Sequence, residues 1–509
     1  MWPRISLEDL RVILHYLGVL TCFLGITMLV PVVVALCLSE YEIAIHYFLG
    51  ISIAFLFGTL LMLFKFHPTV LSRKQAICVT GLAWVVLGIF AAIPLYLSGH
   101  FSSTLDAYFE IISGLTTTGF SLVHDVDHLS YADNMWRFMM HFFGGQGVIV
   151  IALGLGIFGR TGYSLYTAEG RSEHILPDIK NTTRFIGKVA LIVTTLGTVT
   201  LTVICLTQGL SPLNAFFNGL WITLGSYNTG GFAPHSTSTI YYQSWPFEVA
   251  TLVVMLLGST NFLLYGELWK GRTKELFCNI ETRTLFWWLA VLVGVFSSSL
   301  FAGGYISDVG TVMRRGVYTI ISAATSTGYQ LFTNNQMHAV ISSGAFFVVV
   351  LAMAIGSCSG STAGGIKTIR LGIVVKSCLV DLKSVLLPET AQVSATYYHG
   401  GKHVLTREEA NGAMVVFALF AASMVLGALL GIAYGYDALS AIFESVSATG
   451  DTGLSAGIVS SSMPLALELT YLLQMLLGRL EFLSLLAVII ALVMSPFPHL
   501  RTRRHTDYE

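Results

Sequence analysis

Four short polar segments recur in an otherwise apolar chain: TTTGF at 116–120, NTGGF at 228–232, TSTGY at 325–329 and DTGL at 451–454. The chemistry they suggest needs small residues and backbone oxygens rather than side-chain bases, and no enzymatic activity is expected. Glycine reaches backbone angles closed to other residues, which lets successive carbonyls point one way and replace the hydration shell of a cation. The candidate ligands are Thr117, Thr118 and Gly119 in the first loop, and Thr229, Gly230 and Gly231 in the second. The third loop offers Ser326, Thr327 and Gly328, and the fourth Asp451, Thr452 and Gly453. Gly231 matches the other loops by spacing, although Gly230 takes its place if that loop is gapped. Asp451 is the one acidic member. It either adds a carboxylate to the site or bonds backbone amides behind it, as Asp commonly does in turns, and the second role is the expectation.

The loops belong to longer repeats. AYFEIISGLTTTGFS at 107–121 and AIFESVSATGDTGLS at 441–455 align without a gap, with GVYTIISAATSTGY at 316–329 in the same register and GLWITLGSYNTGGF at 219–232 as a diverged copy. Each copy precedes an apolar segment carrying another glycine (Gly144, Gly258, Gly356, Gly478), at 25, 27, 28 and 25 residues from Gly119, Gly231, Gly328 and Gly453. The unit reads as a spanning helix, a half-helix, a polar loop and a second spanning helix. A half-helix that enters and returns leaves an even number of crossings, so all four units share one orientation and surround an axis, unlike inverted repeats. Irregular backbone at membrane depth survives only against protein or a water-filled cavity. Four such loops on one axis form a pore, with the C-terminal dipoles of the half-helices favouring a cation.

Composition supports this. Of 509 residues 54% are hydrophobic and 11% charged, against roughly a quarter charged in soluble domains, which excludes a cytosolic enzyme. A net charge of −1 leaves no excess of cations for nucleic acid. Seven cysteines without a C-x-x-C pair imply neither a disulfide framework nor a zinc site. The run from Leu14 to Cys37 exceeds a signal-peptide core and reads as a retained helix.

A span needs about 20 apolar residues, and ten segments qualify: 12–37, 43–64, 76–98, 136–158, 189–208, 247–268, 284–303, 342–356 with a continuation, 412–434 and 465–495. With a cytoplasmic amino terminus, all but Arg137, Arg314, Arg315 and Arg479 of the 27 basic residues fall on the cytoplasmic side, as the positive-inside rule requires. The expected fold is an all-α membrane protein of ten transmembrane helices. A two-helix extension (1–70) precedes repeat 1 (71–160), a cytoplasmic linker (161–185), repeat 2 (186–275) and repeat 3 (276–385). A second linker (386–410) leads to repeat 4 with the tail (411–509), and both termini are cytoplasmic.

Outside the loops, GSCSGSTAGG at 356–365 interrupts the third repeat's second helix. Gly356, Gly360, Gly364 and Gly365 forbid a smooth helix. This is either a connector or a gate below the loops flanked by Lys367, and we expect the gate because small-residue breaks at membrane depth line cavities. The stretch is no ATP-binding loop, since Ile366 separates Gly365 from Lys367. The G-x-G-x-x-G of Gly154, Gly156 and Gly159 suits helix packing better than nucleotide binding. Arg479, midway along the last apolar stretch, is either fixed by carbonyls for packing or functional, the latter being expected because intramembrane charges are costly and usually face a cavity. Glu481, two residues on, faces elsewhere and is no obvious partner. Glu110 and Glu444, each nine residues before its loop glycine, are expected to bond the backbone behind the loops.

The four loops, S-T-A-G-G-I-K at 361–367 and G-R-L-E at 478–481 together resemble the Trk/Ktr/HKT superfamily of potassium transporters, most nearly its TrkH/TrkG type, over essentially the whole chain. The resemblance implies potassium uptake through a selective filter in the bacterial inner membrane, with Arg479 a positive barrier beneath the loops. It also implies a homodimer of pore subunits, a cytosolic nucleotide-binding (NAD or ATP) regulatory ring, and contact with membrane lipids. Potassium is then the transported ion at the loop residues, with no covalently bound cofactor. Relatives with serine at the first filter position tend to admit sodium, and glycine at all four positions favours potassium. A coupled transporter moving potassium with protons or sodium is the alternative, and a nucleotide-driven pump lacks an intact nucleotide site.

Overall fold

A computed structural model describes residues 5–64, 71–155, 165, 179–302, 308–333, 336, 342–388 and 393–494. It is an all-α membrane protein, with one small antiparallel hairpin among the described residues, β1 (Thr396–Tyr398) against β2 (Lys402–Val404). Most of the expected linker at 161–185, the tail beyond 494, and Gly156 and Gly159 lie outside the described residues.

After α1 (Leu7–Thr27), α2 (Leu29–Cys37) and α3 (Tyr41–Met62), one order of elements occurs four times. First come α4 (Arg73–Leu97), the half-helix α5 (Thr104–Leu115) and the pair α6 (Tyr131–Gln146) and α7 (Val148–Gly154). Then follow α8 (Ile179–Thr207), half-helix α9 (Pro212–Tyr227), and α10 (Trp245–Gly258) with α11 (Phe262–Trp269). After the short α12 (Lys274–Cys278), the third set is α13 (Ile280–Ala302), half-helix α14 (Val309–Ala324), α15 (Ser343–Ala354) and α16 (Thr368–Leu386). The fourth is α17 (Arg407–Ala433), half-helix α18 (Ala438–Thr449), α19 (Leu465–Arg479) and α20 (Leu483–Met494).

Among the described residues six helices are long and apolar enough to cross a membrane, or nine if α6–α7, α10–α11 and α19–α20, bent by 79°, 90° and 117°, each count once. The remaining expected segment, 342–356, eighth in chain order, is helical only over Ser343–Ala354, twelve residues. It runs into an irregular segment, 355–367, before α16 begins.

The half-helices of 12 to 16 residues rise roughly 18–24 Å, short of a ~30 Å hydrocarbon core. Each starts on a polar cap: Ser103, Ser211, Asp308 and Asp437 accept from amides of the first turn, satisfying donors that hydrocarbon would leave orphaned. The N-terminal extension is bound to the first set. Glu40 accepts the Tyr131 and Ala132 amides at 2.9 and 3.1 Å, and the Tyr47 hydroxyl donates to Asp133 at 2.9 Å. Gly18 and Gly58 let α1 and α3 meet: a Cβ on Gly18 would lie 2.6 Å from the Gly58 carbonyl oxygen, the small-residue contact that brings membrane helices together.

Candidate functional site

Each half-helix ends in a loop with the same backbone. Gly119, Gly231, Gly328 and Gly453 have φ of 92°, 75°, 80° and 78°, and the residues two positions earlier, Thr117, Thr229, Ser326 and Asp451, have φ of 60°, 50°, 54° and 52°. Left-handed residues at alternate positions turn successive carbonyls to one side. The amides point back: the N–H groups of Thr118, Gly230, Thr327 and Thr452 donate to the carbonyls of Ser113, Gly225, Ser322 and Ser447, each at 2.9 Å.

The loops close into a ring. A Cβ on Gly119 would meet the Gly230 carbonyl oxygen at 2.2 Å, on Gly231 that of Thr327 at 2.1 Å, on Gly328 that of Thr452 at 1.8 Å, and on Gly453 that of Thr118 at 2.0 Å. Any side chain at these positions would overlap the next loop. The second loop's equivalent glycine is therefore Gly231. Gly230 is small for another reason: its Cβ would lie 2.4 Å from the His141 ring. Among the described residues, the carbonyls of 117–119, 229–231, 326–328 and 451–453 accept no hydrogen bond. Thr117, Thr118, Thr229, Ser326, Thr327, Asp451 and Thr452 are fully buried. Buried carbonyls almost always find a donor, so three aligned, unpaired carbonyls per loop make a site suited to a cation.

Behind the ring the loops are anchored. Ser113 and Ser322 hydroxyls donate to the carbonyls of Phe120 and Tyr329 at 2.7 and 2.8 Å, and the Tyr329 hydroxyl reaches the Phe232 carbonyl at 3.2 Å. Glu110 accepts the Leu122 amide at 2.8 Å, and Glu444 accepts those of Ala456 and Ile458 at 2.9 and 3.1 Å. Two residues not singled out from sequence complete this shell. Arg137, wholly buried, donates to Glu110 at 2.8 Å and lies 4.3 Å over the Phe232 ring. His141 bridges the Gly114 carbonyl (Nδ1, 2.9 Å) and the Phe232 amide (Nε2, 3.0 Å), which fixes it as the neutral Nδ1–H tautomer. Their signal was available: a buried Arg on an apolar helix face needs an acid.

The irregular segment 355–367 lies against the underside of the loops. The Thr362 hydroxyl is within hydrogen-bond distance of the Tyr227 and Gly258 carbonyls (3.0 and 2.9 Å) and of the Thr229 hydroxyl (3.2 Å). The Ser357 hydroxyl donates to the Ala324 carbonyl at 3.0 Å. Gly364 abuts the fourth loop, where a Cβ would be 2.5 Å from that of Asp451. Gly360 and Gly365 take φ of 60° and 70°, and Lys367, buried, donates to the Ala363 carbonyl.

Arg479 is the last residue of α19, at the bend before α20. It joins this segment to the first repeat, donating to the Thr362 carbonyl (2.6 Å), the Gly144 carbonyl (2.5 Å) and the Thr117 hydroxyl (3.2 Å). A cavity of about 50 Å³ beside it is lined by Trp84, Gly360, Lys367 and Glu481 among others.

Two expectations change. Among the described residues Asp451 does not bond backbone amides: one carboxylate oxygen accepts from the Thr118 hydroxyl at 3.2 Å and the other has no partner there, because the left-handed φ turns the side chain down toward Gly364 and Gly478. Glu481, not expected to pair with Arg479, pairs with Arg370 of α16. Gly356 does not repeat its counterparts. Gly144, Gly258 and Gly478 each abut the last carbonyls of their own half-helix, at Leu115, Tyr227 and Thr449, whereas Gly356 abuts Gly364, the irregular segment having moved into that place.

Known proteins resemble this chain in sequence and in fold. The family profile TrkH, described as a cation transport protein, matches residues 43–499. An uncharacterized cation transporter of Methanocaldococcus jannaschii is 31% identical, over 95% of this chain and 96% of the relative. The Trk system potassium uptake protein TrkH of Halomonas elongata is 28% identical, over 94% and 98%, and that of Escherichia coli K12 is 28% identical over the same shares. The crystal structure of the potassium transporter TrkH from Vibrio parahaemolyticus superposes with a TM-score of 0.80 at 24% identity, over 94% of this chain and 98% of that one.

Proposed function

The chain belongs to the TrkH family of cation transport proteins, and from that premise we propose that it takes up potassium across the cell membrane through the ring of four glycine loops. The observation that carries this reading is the closed ring itself: each loop glycine rests on its neighbour's carbonyl while three carbonyls per loop stay unpaired. Backbone oxygens held apart by such contacts replace hydration water for an ion of one size. The filter ligands are then Thr117 to Gly119, Thr229 to Gly231, Ser326 to Gly328 and Asp451 to Gly453. The relatives named as potassium uptake proteins give the ion.

Segment 355–367 acts as the gate on the cytoplasmic side, with Gly356, Gly360, Gly364 and Gly365 letting it fold under the filter and Lys367 at its flank. Its attachments to Tyr227, Ala324 and, through Arg479, to Thr117 hold it across the ion path. Arg479 is then the positive barrier an entering cation meets until the segment withdraws. In this reading the protein is a homodimer in the bacterial inner membrane with both termini cytoplasmic. It consists of a two-helix extension and four pore repeats divided as above, regulated by a cytosolic nucleotide-binding ring.

Expression in a host lacking its own potassium uptake tests the proposal. Growth should be restored at low potassium, and the purified protein should show unitary potassium currents in bilayers. A fixed coupling ratio to protons or sodium without unitary conductance would establish the coupled alternative instead.

A further inference from the structure

On the flank of the third repeat, α13 and α16 diverge around a groove of about 810 Å³ that the β1–β2 hairpin closes at one end. Its walls are apolar and follow one face of each helix: Ile280, Trp287 and Val291 from α13, Leu371, Val375 and Leu379 from α16. Trp287, Val375 and Leu379 are exposed, so among the described residues nothing covers this surface. At the hairpin end the lining turns basic, with Arg283, Lys376 and Lys402. Among the described residues no Asp or Glu lines the groove. Carboxylates around it are engaged: Glu281 with Asn261 and the Ser359 amide, Glu409 with the Tyr397 hydroxyl, and Glu275 with Tyr398.

We infer that this groove binds an anionic phospholipid, its phosphate between Arg283, Lys376 and Lys402 and an acyl chain along Trp287, Val375 and Leu379. The charge distribution places the basic end on the cytoplasmic side, where anionic headgroups lie beside the ends of spanning helices. An apolar trough that ends in three cations matches an amphiphile of opposite head charge. A second copy of the chain is the poorer occupant, because a twofold interface sets the same patch against itself and would oppose three cations to three cations. Gly372 and Ile280 line the groove, and Glu281, next to Ile280 in the chain, accepts the Ser359 amide, so the lipid site adjoins a tether of segment 355–367.

The test uses the full-length protein extracted from vesicles of equal parts phosphatidylglycerol and phosphatidylcholine, with retained lipids identified by mass spectrometry of the intact protein. Phosphatidylglycerol should be retained in preference to phosphatidylcholine. The combined R283Q, K376Q and K402Q variant should lower that preference by about tenfold or more. Val375→Trp keeps every charge but fills the apolar wall, and should lose the retained lipid. No preference in the unaltered protein, a preference that survives the triple neutralisation, or disulfide-linked V375C pairs formed across the groove by two copies would each overturn the inference.

Discussion

Gly328 rests on the Thr452 carbonyl so closely that a Cβ on it would sit 1.8 Å from that oxygen. Serine there must push the fourth loop outward or give up its left-handed backbone, which costs a non-glycine residue about 1 kcal/mol. Either change widens one side of the ring. Gly328→Ser is expected to lower potassium over sodium permeability by about tenfold, the ratio that roughly 1.4 kcal/mol of lost discrimination gives. Gly119→Ser, whose Cβ would meet the Gly230 carbonyl at 2.2 Å, should act likewise. Reversal potentials in mixed salts measure both, and unchanged ratios would remove these glycines from the filter.

The attachments of Arg479 to the Thr362 carbonyl and Thr117 hydroxyl give its charge a fixed place under the ring. Like charges a few ångströms apart at an effective protein dielectric near 20 repel by several kcal/mol. Arg479→Gln should therefore raise rubidium uptake into proteoliposomes by about tenfold or more, while Arg479→Lys, which retains the charge, should change it far less. Equal fluxes in all three proteins would refute the barrier role.

Thr362 can be tested without touching any charge. Valine keeps its shape but loses the hydroxyl that meets the Tyr227 and Gly258 carbonyls, at about 1–2 kcal/mol for a buried bond of this kind. If those bonds hold the segment closed, Thr362→Val should shift the equilibrium toward the conducting state about five- to thirtyfold, read as open probability in single-channel records. An unchanged open probability would mean that the segment is not the gate.

Arg137 and Glu110 form an ion pair shielded from solvent on both sides. Removing one partner leaves a buried charge uncompensated, at about 3–5 kcal/mol, whereas removing both is far milder. Arg137→Gln should lower the thermal midpoint of the detergent-solubilised protein well below that of the double variant Arg137→Gln with Glu110→Gln. If the double variant is no more stable than the single one, the pair is not what steadies the first loop.

The loops were legible because their chemistry is written in residue type: glycine at 119, 231, 328 and 453 takes a left-handed angle and leaves room for the next loop's carbonyl, so its recurrence at one spacing gives the loops away. What failed to show were relationships between distant parts. Arg137 and Glu110 lie 27 positions apart, Arg370 and Glu481 111 apart, and no local periodicity links either pair. Asp451 misled for a different reason. In an ordinary turn its carboxylate would meet nearby amides, but here the loop's amides are committed to the half-helix behind it, which leaves the side chain to face the segment below. Gly356 was aligned correctly by number. Its role differs because a loop folded back into the space that a continuous helix occupies elsewhere.

The contacts that shape the ring run in one direction: the first loop leans on the second, the second on the third, the third on the fourth, and the fourth on the first. Such an arrangement has no end member and no independent part. A displaced loop unseats the one before it and loses its own seat on the one after. Yet the contacts are made by glycines and backbone oxygens alone, so they ask nothing of the side chains around them. Thr117, Ser326 and Asp451, or Phe120, Tyr329 and Leu454, can differ from copy to copy while the ring keeps its shape. A single chain can thus hold near-fourfold geometry at the opening and still assign each quadrant a different task, as it does with the lone carboxylate of the fourth loop and the interrupted helix of the third repeat.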